Sequence, residues 1–142
     1  MKITRKGSVH WTGGLRDGKG AISTPSGALD AYPYGFMSRF EGVNGTNPEE
    51  LLAAAHAACF TMSLTLALER AGFTADDLKT SAVVTLLQDD TGYSIPTIDL
   101  TLNADIPGIE DGQFQDLAAY AEKNCPVSKL FKAAINLTAR LS

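Results

Sequence analysis

The hydropathy pattern predicts an α+β fold, and three observations carry that expectation. A stretch of 18 residues, Leu51–Leu68, has no formal charge and lies between helix-start and helix-stop residues. Two later segments, Thr97–Ile106 and Ile135–Leu141, alternate apolar and polar residues strictly, which is the period of a strand with one buried face. The order is strands, long helix, hairpin, shorter helix, strand. It occupies 142 residues without repeat, low-complexity run or linker, so residues 1–142 read as one domain.

The first 45 residues are rich in glycine and turns: Gly13-Gly14, Asp17-Gly18, Pro25-Ser26-Gly27 and Gly42 to Gly45. Short strands are predicted near Ile3–Trp11 and Ala21–Thr24, paired as a hairpin. The long helix starts with Asn47 as N-cap, Pro48 at the first helical position and Glu50 placed to close a capping box; a frame one residue earlier, Thr46 with Glu49, fits nearly as well. Gly72 is its stop, with Phe73 folding back over the last turn. Leu51–Leu68 reaches the length of a membrane span. However, it is mostly alanine, is broken by His56, Thr61, Ser63 and Thr65, and is bracketed by Glu49, Glu50, Glu69 and Arg70. A buried helix of a soluble protein is the better reading.

After the helix, Asp89-Asp90-Thr91-Gly92 is a turn joining Ser81–Gln88 to the strand at Thr97–Ile106, which is expected to be antiparallel. On that strand Ile98, Leu100, Leu102, Ala104 and Ile106 share one face. Asp111–Asn124 reads as an amphipathic helix through Phe114, Leu117, Ala118 and Ala121, and Ile135–Leu141 as the last one-faced strand. One sheet covers only one side of a helix that is apolar almost all round. A second subunit is therefore expected to supply the missing cover.

Composition narrows the function classes. Hydrophobic residues make up 44% and charged residues 20%, ordinary for a globular protein. The net charge of −4 argues against nucleic acid, which needs clustered Lys and Arg. Gly7, Ser8 and His10 stand where a signal peptide would be apolar, so a cytoplasmic location is expected. The two cysteines, Cys59 and Cys125, have neither a Cys-x-x-Cys spacing nor a His cluster, which makes a metal site a poor reading. They are either inert buried thiols or a redox pair.

Cys59 lies about three turns into the helix, beyond reach of its dipole, so a reactive Cys59 needs a cation from elsewhere. Cys125 precedes Pro126 at a helix start, where free backbone N–H groups favour thiolate. Arg39, in Phe36-Met37-Ser38-Arg39-Phe40, is a charge among apolar residues. At ~100° per residue Glu49 falls about 80° from Cys59 around the helix and Glu50 on the far side. Glu49 is thus the acid that could hold an arginine at the thiolate. His56, three residues before Cys59, reads as a satisfied core histidine, as does His10 beside Trp11.

Four motifs stand out: Gly35-Phe36 with Arg39-Phe40-Glu41-Gly42, Thr46-Asn47-Pro48-Glu49-Glu50-Leu51, Ala54-Ala55-His56-Ala57-Ala58-Cys59-Phe60 and Asn124-Cys125-Pro126-Val127-Ser128. Together they resemble the osmotically inducible protein C and organic hydroperoxide resistance family, nearer its first branch. The resemblance covers essentially the whole chain. It implies antiparallel sheets wrapped around a long central helix in an intertwined homodimer, with active sites at the subunit interface. It also implies a peroxidase of oxidative and osmotic stress defence that reduces organic hydroperoxides, and hydrogen peroxide less well. Cys59 is then the peroxidatic thiol and Cys125 the resolving one, with Arg39 and Glu49 supporting. Leu15-Arg16-Asp17-Gly18 resembles the arginine segment of the other branch, which keeps Arg16 as the alternative cation.

On that reading Cys59 becomes a sulfenic acid, Cys125 closes a disulfide and an external dithiol restores both, with no metal or bound cofactor. Spacing and composition suggest Phe36, Phe40, Phe60 and Met62 as an apolar pocket for the alkyl group. The rival functions are a Cys59–His56 hydrolase and a non-catalytic dimer that binds a small molecule.

Overall fold

The computed structural model describes every residue, Met1–Ser142. The chain forms two compact units, Met1–Leu51 and Leu52–Ser142.

In the first unit, β1 (Ser8–Thr12), β2 (Lys19–Ser23) and β3 (Tyr32–Tyr34) form an antiparallel sheet in that order, followed by a short helix α1 (Phe36–Phe40). The hairpin of β1 and β2 matches the expectation; β3 and α1 are additions. Gly20 sits between the Trp11 and Tyr34 rings, which meet edge-on with centroids 5.6 Å apart. A Cβ there would collide with Tyr34 and Trp11, so the close approach requires glycine. Ser38 fastens α1: its hydroxyl accepts from the Gly35 N–H (2.9 Å) and lies 2.9 Å from the Thr46 carbonyl. His10, expected in the core, is exposed on β1, because the face of β1 that carries it is uncovered.

Helix α2 (Pro48–Arg70) begins in the first unit and runs into the second. The Asn47 side chain accepts from the Glu50 N–H (2.8 Å), an N-cap as expected. The capping box is not closed, because the Glu50 carboxylate takes the buried Thr46 hydroxyl instead (2.6 Å). At the other end the Gly72 N–H donates to the Glu69 carbonyl (3.0 Å) and the Phe73 N–H to the Leu68 carbonyl (2.9 Å). This paired return needs Gly72 at φ 87°, and it turns Phe73 against the core. By length and composition α2 could cross a membrane, but it buries Phe60, Leu64, Ala67 and Leu68 as the core helix of a soluble fold.

The second unit adds β4 (Asp77–Asp89), β5 (Gly92–Asp105), α3 (Asp111–Asn124), α4 (Pro126–Leu130) and β6 (Ala134–Leu141). The hairpin of β4 and β5 is antiparallel around the expected turn, and both strands are longer than their alternation suggested. Ile98, Leu100, Leu102, Ala104 and Ile106 are all buried, as the alternation required. Leu100, Leu102, Ala104 and Ile106 join Phe60, Leu64, Leu68 and Phe114 in one core.

The expectation of antiparallel sheets fails at β6, which pairs with β5 in parallel, Ile98 opposite Ile135 and Leu102 opposite Ala139. The cause is the connection. Residues 106–133 carry two helices and return the chain to the end where β5 began, so β6 runs alongside it.

Candidate active site

Cys59 lies on α2 and is half-buried, whereas Cys125 has no exposed surface; both are free thiols. The fold brings these two residues, 66 positions apart in the sequence, within side-chain hydrogen-bonding contact. Cys125 occupies the joint between two helices. Its N–H closes α3 on the Ala121 carbonyl (2.9 Å), and its carbonyl accepts from the Lys129 N–H to open α4 (3.1 Å). Pro126 forces this joint, because the residue before a proline is kept out of the helical region, and Cys125 has φ −57° and ψ 124°.

The N–H groups of α4 serve a different sulfur from the one expected. Cys125 makes no side-chain cap, and the Val127 N–H donates to the sulfur of Cys59. Burial pushes the Cys59 thiol up, contact with Cys125 pushes it further, and the Val127 N–H pulls it back only in part. This part of the chain therefore holds Cys59 as a thiol. Activation requires a positive charge brought to it.

The two arginines singled out from the sequence are held differently. Arg39 grips Glu49 with Nη2 at 2.6 Å and Nε at 3.1 Å from the same carboxylate oxygen, and Nε is 3.3 Å from the other. The Glu49 side chain is only 12% exposed, so this pair is better shielded than an ordinary surface bridge. Arg16 instead lies over the Phe36 ring, 4.5 Å from its centroid.

Of the suggested pocket residues, Phe60 has no exposed surface and belongs to the core, which removes it from substrate contact. Phe36 and Phe40 stack with ring centroids 4.9 Å apart. Phe36 also lines a groove of about 480 Å³ with Arg16, Tyr34, Met37 and Val43. Met62 is 76% exposed and lines an open groove with Ala57, Ala58 and Leu78.

His56 is fully buried. Its Nε2 is 2.7 Å from the Ser128 hydroxyl, the Phe131 ring meets it edge-on at 5.3 Å, and its Nδ1 has no partner. It is thus only half satisfied. Burial lowers its pKa, which keeps the imidazole neutral. Val127 and Ser128 had no role assigned from the sequence. The available signal was their place in the first turn after Cys125, where free N–H groups and side chains can reach a neighbouring helix.

Residues 41–140 match the family described as OsmC-like protein. The chain belongs to this OsmC family. It is 48% identical to the protein named Peroxiredoxin OsmC of Escherichia coli K12 over 141 residues, covering 99% of both chains. It is 30% identical over 124 residues to the organic hydroperoxide resistance protein OhrB of Bacillus subtilis, covering 86% of this chain and 88% of that one. The crystal structure of that OhrB superposes with a TM-score of 0.68 at 27% identity, covering 96% of this chain and 98% of that one. The OsmC match crosses the boundary between the two units, so both contribute to the family pattern.

Proposed function

We propose that the chain is a cysteine-based peroxidase that reduces organic hydroperoxides to alcohols through Cys59 and Cys125. The observation that carries this reading is the contact of the two thiols, one half-exposed and one buried, in a member of the OsmC family. The relatives named for peroxide reduction and hydroperoxide resistance supply the substrate class.

The Cys59 thiolate attacks the outer oxygen of the hydroperoxide. The O–O bond breaks, the alkoxide leaves and takes a proton to become the alcohol, and Cys59 becomes a sulfenic acid. The Cys125 sulfur displaces water from it, closing a Cys59–Cys125 disulfide, and an external dithiol returns both sulfurs to thiols. Hydrogen peroxide is the poorer substrate, since it has no alkyl group for an apolar pocket. No metal or cofactor enters these steps.

Arg39 supplies the cation that Cys59 lacks and steadies the departing alkoxide, and Glu49 fixes the guanidinium. Its rigid grip favours Arg39 over Arg16. Phe36, Phe40 and Met62 offer apolar surface to the alkyl group. The functional unit is a homodimer formed from one OsmC-like domain per chain. In support, Ala54, Ala58, Met62 and Leu66 leave an exposed apolar stripe along α2 at four-residue steps. The protein works in the cytoplasm, where thioredoxin-like dithiols maintain reduced cysteines. The hydrolase alternative loses its base, because His56 has no exposed surface at which its imidazole could meet a substrate.

Peroxide consumption with a dithiol, followed by intact mass, tests the assignment. Cys59→Ser abolishes turnover; Cys125→Ser performs one reduction and then carries an oxidised Cys59. Arg39→Ala raises the pH at which Cys59 alkylates. Multiple turnover in Cys59→Ser would sink the reading, and an unchanged alkylation profile in Arg39→Ala with a shifted one in Arg16→Ala would move the activating role to Arg16.

A further inference from the structure

We infer that His56 is a positioning residue: through Ser128 it docks α4 onto α2 so that Cys125 and the Val127 N–H stand against the Cys59 sulfur. The inference rests on the reading of Cys59 and Cys125 given above.

Helix α4 has five residues, too few to be stable alone, and Ser128 is its one buried member. Ser128 and the partly buried Val127, which packs against the core, are therefore the members through which α4 is held. The partner of Ser128 is His56, at 2.7 Å, and the residue capping the end of α4, Phe131, packs its ring on the same imidazole. His56 and Cys59 are three apart on α2, and Ser128 and Cys125 are three apart across the start of α4. Such neighbours lie on one face of a helix, so the His56–Ser128 bond runs beside the sulfur contact and sets its spacing.

The unpartnered Nδ1 identifies the donor. A buried N–H without an acceptor is the rarer and costlier defect. The proton of the neutral ring therefore sits on Nε2 and is given to the Ser128 oxygen, leaving a bare lone pair at Nδ1. Nothing else in the mechanism uses this buried imidazole. Its effect falls on two quantities, the acidity of Cys59 through Cys125 and the Val127 N–H together, and the rate of disulfide closure through the placement of Cys125.

The test uses the full chain with His56→Leu, Ser128→Ala and His56→Gln, the last carrying an amide N–H at the place of Nε2. After one equivalent of organic hydroperoxide, closure of the disulfide is timed by quenching and intact mass. Cys59 alkylation is measured against pH on the reduced protein. His56→Leu and Ser128→Ala are expected to slow closure by about 10-fold or more, since a misplacement of about 1 Å can cost on the order of 100-fold. Both should also move the alkylation midpoint down, because the Cys125 contact that raises the Cys59 thiol outweighs the Val127 N–H that lowers it, and His56→Gln should restore both values. Ser128→Ala removes a single oxygen and decides the matter if His56→Leu does not fold. Unchanged closure and alkylation in Ser128→Ala would overturn the inference, as would a defect that His56→Gln fails to repair. If the unaltered protein itself forms no disulfide, the peroxidase reading fails. The alkylation midpoint then decides for His56 by itself, a fall supporting the docking and no change or a rise overturning it.

Discussion

Replacing Phe60 by alanine separates a core residue from a substrate contact. Phe60 has no exposed surface and lies among Leu64, Leu68, Leu100, Leu102 and Phe114. Truncation of a ring so enclosed costs about 3–5 kcal/mol, the lost transfer energy plus the cavity left behind. Unfolding entropy is about 2.1 cal/mol/K per residue, which over the chain is about 0.3 kcal/mol/K. The melting midpoint should then fall by roughly 10–17 °C. Thermal unfolding followed by circular dichroism at fixed protein concentration gives the shift. KM for a small and a bulky hydroperoxide is measured well below the midpoint. A drop of less than about 3 °C, together with a several-fold rise in KM for the bulky substrate, would refute the packing argument and return Phe60 to the pocket.

Two further outcomes follow from the buried groups. Cys125→Ala removes two of the influences that raise the Cys59 thiol, its hydrogen bond and its charge, so the pH midpoint of Cys59 alkylation should move down; a midpoint that stays or rises would contradict the sulfur contact. His56 is held below its ordinary value, near 6.5, by burial, so the folded state binds fewer protons than the unfolded one as the solution is acidified. Its contribution to stability is whole above about pH 6.5 and is lost as pH falls toward the folded value, at up to about 1.4 kcal/mol per pH unit. Denaturant titrations between pH 7 and 5 should show a shallower loss in His56→Gln, and equal slopes would place the acid sensitivity elsewhere.

The parts of the fold legible in the sequence were those written in local signals. Asn47-Pro48 and Gly72-Phe73 bounded α2, and the alternation through Ile98–Ile106 named the buried face of β5 residue by residue. The direction of β6 was not local, since one-faced alternation is the same in parallel and antiparallel strands, and only the two-helix connection decides it. Phe60 was misplaced for a related reason. In a helix apolar all round, composition cannot say which side meets the sheet. At the site the motifs pointed to Cys59, Cys125, Arg39 and Glu49, and the fold pairs the first two with each other and the last two with each other. The Val127 N–H was invisible because a backbone donor leaves no mark in residue identity.

For the proposed Cys59–Cys125 disulfide, the unequal access of the two sulfurs also dictates how it is recycled. Thiol exchange needs the attacking sulfur in line with the bond it breaks, and a reductant in solution can approach only the sulfur that solvent reaches. That sulfur is on Cys59, since Cys125 is sealed beneath it. In the proposed cycle the mixed disulfide with the reductant therefore forms on Cys59, and Cys125 departs as the leaving group into the interior. Recycling is then regioselective by burial alone. Bulk around Cys59 governs which dithiols can serve, whereas the acidity of the leaving Cys125 governs how fast any of them works.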